Sequence, residues 1–349
     1  MAAWGKEAID VPGGAKVFAL MPVIVSASRS TDIPSFYSTW FLHRLKVGYV
    51  KWFNPFSKLS HYIGFKKMRC IVFWSKNPAP MIPYLDEIDR ICPNYYFQFT
   101  LNDYDTENIE PRVPPLEERL KTFKRLSERL GKDRIVWRFD PLILSDRLSV
   151  PDLLKKVERI GDQVAQYTSR LVFSFIDIHA YKNVGLNMIN GGVCAREFLP
   201  DEMCAVAQRI GELARGWGIA AATCGEIKDL EQYGVEHNRC IDDRLMAKCF
   251  PHDAELMKFI GARFVQGDMF ATTEEERRDR WIIPLDTYTK HKDMGQRLAC
   301  GCIWSKDIGE YNTCPHLCHY CYANKNSAMV MDNWKCHCKN PLAETITGG

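Results

Sequence analysis

The chain has 349 residues, of which 46% are hydrophobic and 26% charged, and its formal net charge is +3. This balance is typical of a globular protein with a large core, and so small a charge gives no overall attraction to nucleic acid or to a membrane surface. No apolar run is long enough to span a bilayer, and residues 1–14 lack the segments of a signal peptide. We therefore expect a cytoplasmic protein with no membrane partner.

Strand-like and helix-like segments alternate along the first two thirds of the chain. Runs rich in β-branched and aromatic residues occupy positions 23–28, 49–53, 70–75, 95–100, 134–139, 171–176 and 219–223. They are nearly continuously apolar, as are strands buried on both faces of a parallel sheet. Apolar residues repeat at helical spacing between several of these runs, for example at 116–130. The pattern predicts an α/β fold with a partial or full parallel β/α barrel of six to eight strands.

Polar residues follow the ends of these predicted strands. In a parallel barrel the carboxyl ends of all strands open on one face, where active sites are built. We therefore select as candidate catalytic residues Lys76, Asn102, Arg138 and Asp140, and we expect Glu226 on the same face as a cofactor contact. Arg138 and Asp140 could equally form a structural pair below the rim of the barrel.

The strongest chemical signal is a cysteine run near the C-terminus. The chain has fourteen cysteines, and seven of them fall within the last 50 residues. Cys314, Cys318 and Cys321 form a CxxxCxxC motif, and Tyr320 precedes its last cysteine. Three thiolates on one short loop can bind three irons of a [4Fe–4S] cube and leave the fourth open to a small molecule. A zinc site completed by His316 or His319 is the alternative, which would make the protein a zinc-stabilised binding module.

Four other cysteines stand outside clearly apolar surroundings. They are Cys224, Cys240, Cys300 and Cys302, the last two flanking a single glycine. Four thiolates are the usual ligands of a closed [4Fe–4S] cube, so we predict a second, auxiliary cluster. The alternative is that Cys224 and Cys240 are ordinary thiols near the core and that only one cluster exists.

The CxxxCxxC run resembles the signature of radical S-adenosylmethionine enzymes, including its tyrosine. From about residue 21 to 326 the chain also resembles a bacterial family called domain of unknown function 1848, whose C-terminal cysteines are similar to that signature. The matching stretches are 26–34, 54–56, 73–78, 96–101, 137–141, 223–226 and 305–309. The resemblance implies an enzyme that binds a [4Fe–4S] cluster and S-adenosylmethionine and starts radical chemistry on an unidentified substrate, with flavodoxin or ferredoxin as electron donor.

The C-terminal position of the motif suggests a circularly permuted barrel, in which residues 302–305 form the strand that usually comes first. Residues 23–28 would then be the second strand, whose end binds the methionine group in the resembling enzymes. Ser26, Ser28 and Arg29 occupy that place, and the resemblance implies that they contact S-adenosylmethionine. Tyr320 would pack beside the cluster or the adenine, although a half-buried aromatic role is equally open.

The predicted organisation is an N-terminal extension (1–20), the barrel (21–326) with its cysteine-rich region (300–326), and a C-terminal tail (327–349). Two other reactions of the same enzyme class remain open. One is transfer of a 3-amino-3-carboxypropyl group, and the other is repair of a DNA lesion, for which no concentrated basic, aromatic-rich stretch is evident.

Overall fold

The computed structural model describes residues 4–55, 57, 59–270, 272–274 and 277–349. Residues 1–3 of the predicted extension and Phe56 of the 54–56 stretch lie outside this described part. The strands are β1 Lys6–Asp10, β2 Lys16–Leu20, β3 Ile24–Ala27, β4 Tyr49–Phe53, β5 Ser60–Gly64, β6 Cys70–Ser75, β7 Tyr95–Thr100, β8 Ile135–Leu142, β9 Leu144–Ser145, β10 Arg170–Phe175, β11 Ala195–Arg196, β12 Ala220–Thr223, β13 Val235–His237, β14 Arg263–Val265, β15 Arg280–Ile282 and β16 Lys306–Asp307.

Eleven α-helices lie between or after these strands in the described part of the chain. They are α1 Ile33–Phe36, α2 Ser38–Val47, α3 Leu85–Ile91, α4 Leu116–Leu130, α5 Val150–Val164, α6 Lys182–Asn190, α7 Pro200–Trp217, α8 Asp243–Cys249, α9 Ala254–Ile260, α10 Leu285–His291 and α11 Ser327–Lys339. Within the same described ranges, no helix combines the length and apolar character needed to cross a bilayer.

The main sheet has eight strands in the order β13-β12-β10-β8-β7-β6-β3-β16. Every pairing within it is parallel. The coarser part of the prediction, an α/β fold built on a large parallel sheet, is therefore confirmed. The edge strands β13 and β16 are not paired with each other among the described residues, so hydrogen bonding does not close the sheet into a barrel.

Both faces of this sheet are buried, which explains the continuously apolar strands. Alternate residues such as Phe73 and Phe97 pack in one core with the helices α2 to α5 and α7. Their neighbours Val72 and Tyr96 face a second core built with α8, α9 and the segments around Cys240 and Cys302. The second core thus brings distant parts of the chain onto one face of the sheet.

Local sequence sets the ends of the outer helices. Helix α4 buries Leu120, Phe123 and Leu126, and it ends where Gly131 adopts a positive φ of 86°. A residue with a side chain is disfavoured in that conformation, so glycine stops the helix there. At the start of α5, the Ser149 side chain accepts a hydrogen bond from the backbone N–H of Asp152, a usual N-cap.

Two strand predictions need correction. The 49–53 run forms β4, but β4 pairs antiparallel with β5 in a separate sheet of order β1-β2-β5-β4. An apolar run does not specify which sheet it joins, and here it pairs with the strand that follows it closely along the chain. The permuted strand predicted at 302–305 instead comprises Lys306 and Asp307, and β16 lies parallel to β3 as its edge neighbour. Ile303 is buried in the second core rather than in the sheet.

The two ends of the chain pack onto the body of the structure. Strands β1 and β2, within the predicted N-terminal extension, join β4 and β5 in the second sheet. In the C-terminal tail, the Ala343 carbonyl accepts a hydrogen bond from Trp40 Nε1 at 3.0 Å, and Tyr49 donates to the Glu344 carboxylate at 2.5 Å.

Candidate functional site

The main sheet and the CxxxCxxC loop enclose a cavity of about 630 Å³. Residues that follow or end β3, β6, β8, β10 and β12 contribute to its wall. Thirteen of the residues predicted from the sequence line it: Ser28, Arg29, Lys76, Arg138, Asp140, Cys224, Cys240, Cys300, Cys302, Cys314, Cys318, Tyr320 and Cys321. The fold therefore brings both predicted cysteine sets to one cavity.

The CxxxCxxC loop is held by hydrogen bonds to its backbone. Asn324 Nδ2 donates to the Cys314 carbonyl at 2.9 Å, and Asn187 Nδ2 donates to the Cys321 carbonyl at 3.1 Å. Burial raises the pKa of all three thiols. They are therefore protonated when no metal is bound, and metal binding would release their protons.

His316 anchors this loop to the end of β6 through Asp32. Its Nε2 lies 3.0 Å from Asp32 Oδ2, and its Nδ1 lies 3.2 Å from the Arg112 carbonyl. Asp32 also accepts hydrogen bonds from the Ser75 hydroxyl and the Lys76 backbone N–H, both at 2.7 Å. Both ring nitrogens of His316 thus have protein partners, which is the arrangement of a positioning residue rather than of a metal ligand.

The other histidine of the motif packs against helix α6. A Cβ atom placed on Gly191 would lie 1.8 Å from His319 Nδ1, so only glycine leaves room for the ring. The His319 backbone N–H donates to the Ile109 carbonyl at 3.0 Å. These contacts connect the middle of the motif to two separate parts of the body.

Lys76, Asn102 and Tyr320 converge on Glu110, a residue that the sequence analysis did not select. Lys76 Nζ donates to Glu110 Oε1 at 2.8 Å, Asn102 Nδ2 donates to the same oxygen at 3.0 Å, and the Tyr320 hydroxyl also donates to it. Burial alone would raise the pKa of Glu110, but Lys76 and Arg119 more than offset it and lower the pKa to about 2. Glu110 is therefore a buried carboxylate that holds Lys76 and Tyr320 together.

Asp307 of β16 organises the end of β3. It accepts hydrogen bonds from the Ser26 hydroxyl at 2.8 Å, the Ser28 hydroxyl at 2.6 Å and the Arg29 backbone N–H at 2.8 Å. The two serine hydroxyl protons, which we expected to contact a cofactor, are thus directed to Asp307. Ser28 still lines the cavity, whereas Ser26 is not among its lining residues.

Arg138 and Asp140 form an ion pair in the wall of the cavity. Arg138 Nε donates to Asp140 Oδ2 at 3.1 Å, and Ser174 donates to the other carboxylate oxygen. Burial raises the pKa of Asp140, but the Arg138 charge and the hydrogen bonds from Ser174 and Arg138 together outweigh it, so the pKa is lowered overall. The pair therefore has the partners of a structural ion pair, and both residues also line the cavity.

Besides Ser26, two other selected residues do not line the cavity. Asn102 is fully buried behind it, where its Oδ1 accepts a hydrogen bond from the Asp140 backbone N–H at 2.9 Å. The Glu226 carboxylate accepts hydrogen bonds from the backbone N–H groups of Ile227 at 2.8 Å and Lys228 at 3.2 Å. Asn102 thus supports the site from behind, and Glu226 stabilises its own turn.

In the described part of the chain, no three His, Cys, Asp or Glu side chains converge on a point where they could hold a single metal ion. A cube distributes its cysteine ligands over separate irons, so its three thiols need not meet at one point. What it requires is three free thiols facing one space, and Cys314, Cys318 and Cys321 meet that requirement.

Sequence reasoning missed three acidic residues that organise the site. Asp32 and Asp307 lie within stretches that carry the family resemblance, at 26–34 and 305–309, and could have been singled out there. Glu110 lies in the loop between β7 and α4, away from any strand end, and no local pattern distinguishes it from a surface glutamate.

The chain was compared with family models, curated proteins and solved structures. No curated protein matches the chain. Among solved structures, a putative alpha-L-fucosidase from Bacteroides thetaiotaomicron matches at 14% identity with a TM-score of 0.24. The match covers 47% of this chain and 66% of the fucosidase chain, slightly less than two thirds of that chain's length. The model of the family described as Domain of unknown function (DUF1848) matches residues 24–323. The chain therefore belongs to this family.

Proposed function

We propose that the protein is a radical S-adenosylmethionine enzyme. The observation that carries the proposal is the placement of Cys314, Cys318 and Cys321, which face the same cavity as the polar residues at the strand ends. Three free thiols on one loop suit a [4Fe–4S] cube with one open iron. Both ring nitrogens of His316 are occupied by other partners, which favours a three-thiolate site over a zinc site closed by that histidine.

When bound, the cluster would supply an electron for cleavage of a sulfonium C–S bond of S-adenosylmethionine, which begins radical chemistry on the substrate. The chain would bind and shield the reactants. Tyr320 and Lys76, held by Glu110, form the wall next to Cys318 and Cys321. Arg29 and Arg138 bring positive charge to another part of the wall, where an anionic group of the cofactor or the substrate would be stabilised.

The electron donor in this proposal is a flavodoxin or a ferredoxin. The substrate is a molecule that fits beside S-adenosylmethionine in the cavity of about 630 Å³. Product analysis would identify the substrate and the C–S bond that is cleaved.

The proposal is tested with anaerobically purified protein that is reduced with dithionite and mixed with S-adenosylmethionine. We expect bound iron and sulfide, a low-temperature EPR signal that changes when S-adenosylmethionine is added, and formation of a cleavage product. Replacing the three cysteines of the motif (Cys314→Ala, Cys318→Ala, Cys321→Ala) should abolish the cleavage product and the EPR change caused by S-adenosylmethionine, and should lower the iron content by about four per chain.

Cys194→Ala is the matched control, because Cys194 is an exposed free cysteine that is not among the residues lining the cavity. This variant should behave as the wild type. Cleavage at the wild-type rate in the triple cysteine variant would disprove the proposal. Product analysis would also separate the usual 5′-cleavage from transfer of the aminocarboxypropyl group.

A further inference from the structure

We propose that Cys224, Cys240, Cys300 and Cys302 bind a second metal–thiolate centre, separate from the CxxxCxxC loop. The four residues come from three parts of the chain: the end of β12, the segment before α8, and the segment before β16. All four line the cavity. The proposal does not depend on the function of the first site, because none of its ligands belongs to the CxxxCxxC loop.

The four thiols form a continuous group. Cys224 Sγ lies 3.4 Å from Cys240 Sγ. Cys302 interacts in turn with the side chains of Cys240 and Cys300. All four are free cysteines. The contact between sequence-distant thiols is the observation that cysteine spacing alone could not supply.

Strong hydrogen-bond donors point at these sulfurs. Arg138 Nη1 and Asn238 Nδ2 lie 3.0 and 3.1 Å from Cys240 Sγ, and the Ile241 backbone N–H donates to Cys302 Sγ at 3.4 Å. A neutral thiol is a weak acceptor, whereas a metal-bound thiolate is stabilised by such donors. The surroundings of Cys240 and Cys302 therefore suit thiolates.

Charge balance indicates the same state. Arg138 has Asp140 as its carboxylate partner, but among the described residues the Arg29 guanidinium has no ion pair with a carboxylate, and its buried Nη2 atom has no hydrogen-bond partner. Arg29 interacts with Cys302 and with Asp307. Asp307 is shared with the Ser26 and Ser28 hydroxyls, and four thiolates on an oxidised iron–sulfur cluster would add net negative charge beside the Arg29 guanidinium.

Gly301 allows Cys300 and Cys302 to lie close to the segment that holds Cys240. A Cβ atom at this position would lie 2.8 Å from the Asn238 carbonyl oxygen and 3.0 Å from Arg239 Cγ. Any side chain there would push Cys300 and Cys302 away from Cys240. The backbone near Cys240 is also fixed, because Tyr96 and Gln98 donate hydrogen bonds to its carbonyl at 2.7 and 2.8 Å.

The centre is an iron–sulfur cluster. Among the described residues no three of these side chains converge on one point, so they do not form the site of a single zinc ion. A cluster with two iron atoms takes four cysteine thiolates and needs only two of them on each iron. The 3.4 Å separation of Cys224 Sγ and Cys240 Sγ is close to the value of about 3.8 Å for two thiolates on one tetrahedral metal ion.

The test starts from the full-length triple variant that lacks the CxxxCxxC thiols, purified anaerobically. We expect this protein to retain iron and sulfide in equal amounts, with visible absorption. Adding Cys240→Ser and Cys302→Ser should lower that iron content at least tenfold. Adding Cys194→Ser instead should leave it unchanged. A colourless protein with one zinc per chain would overturn the proposal.

A triple variant that folds, as judged by circular dichroism, but holds no metal would overturn the proposal. If the Cys240 and Cys302 changes prevent folding, Cys224→Ser and Cys300→Ser replace them, because these two thiols are only half-buried. Unchanged metal content in that variant would likewise overturn it. If instead the function proposed for the CxxxCxxC site is wrong, the wild type will not cleave S-adenosylmethionine but will still contain the second metal centre. The two proposals can therefore be disproved separately.

Discussion

Replacing Glu110 by glutamine removes a buried negative charge while keeping the size of the side chain. The Glu110 and Arg119 side chains are 1% and 0% exposed, and that of Lys76 is 15% exposed. The variant leaves Lys76 and Arg119 without this carboxylate, although Asp105 still pairs with Arg119 at 3.1 Å. Since one partner is removed from a buried ion pair, we expect the free energy of unfolding to fall by about 3–5 kcal/mol.

The stability difference between the wild type and Glu110→Gln depends on pH in a defined direction. The pKa of Glu110 is lowered to about 2 in the folded protein, from an ordinary value of 4.5. A carboxyl group whose pKa is lowered by folding stabilises the protein above its unfolded pKa, and this contribution disappears as the pH falls through the folded value. The advantage of the wild type over Glu110→Gln should therefore be constant above about pH 5 and shrink between pH 4.5 and 2.

Urea unfolding of both proteins at pH 7, followed by fluorescence, measures the difference. The matched control is Glu87→Gln, because Glu87 pairs with Lys46 at the surface, where the two side chains are 39% and 52% exposed. An exposed pair contributes about 0–1 kcal/mol, so this control should stay near the wild type. A Glu110→Gln protein within about 1 kcal/mol of the wild type at pH 7 would refute the role assigned to Glu110.

Three further changes test other parts of the structure. In Gly309→Ala, the new Cβ would lie 2.0 Å from Ser28 Oγ, which donates a hydrogen bond to Asp307. This overpacking should lower the free energy of unfolding in urea by about 1–3 kcal/mol; an unchanged midpoint would argue against this packing. Burial raises the pKa of Glu310 to about 7. Its protonated form therefore favours folding, so the wild type should lose stability relative to Glu310→Gln as the pH rises from 4.5 to 7, by at most about 1.4 kcal/mol per unit; parallel pH profiles would contradict this. Deletion of residues 340–349 removes buried Ile346 and the bond from Trp40 to Ala343, and should lower the thermal midpoint; a midpoint equal to that of the full chain would show that the tail does not stabilise the fold.

The strands of the main sheet could be predicted closely from the sequence. Strands β6 and β7 have the predicted bounds, because both faces of the sheet are covered and nearly all residues of these strands are buried. Strand β4 was placed in the wrong sheet, since its apolar residues do not distinguish a central parallel strand from a member of an antiparallel hairpin.

The sequence by itself determined the α/β class of the fold and identified the candidate metal-binding residues. Cysteine spacing on one loop is a local property, so Cys314, Cys318 and Cys321 could be grouped without a structure. The contact of Cys224 with Cys240, and the approach of Cys302 to the segment that holds Cys240, were decided only by the tertiary structure. They depend on how α8, α9 and their flanking segments pack on the face of the sheet that carries the second core, and such long-range packing leaves no periodic trace in the sequence.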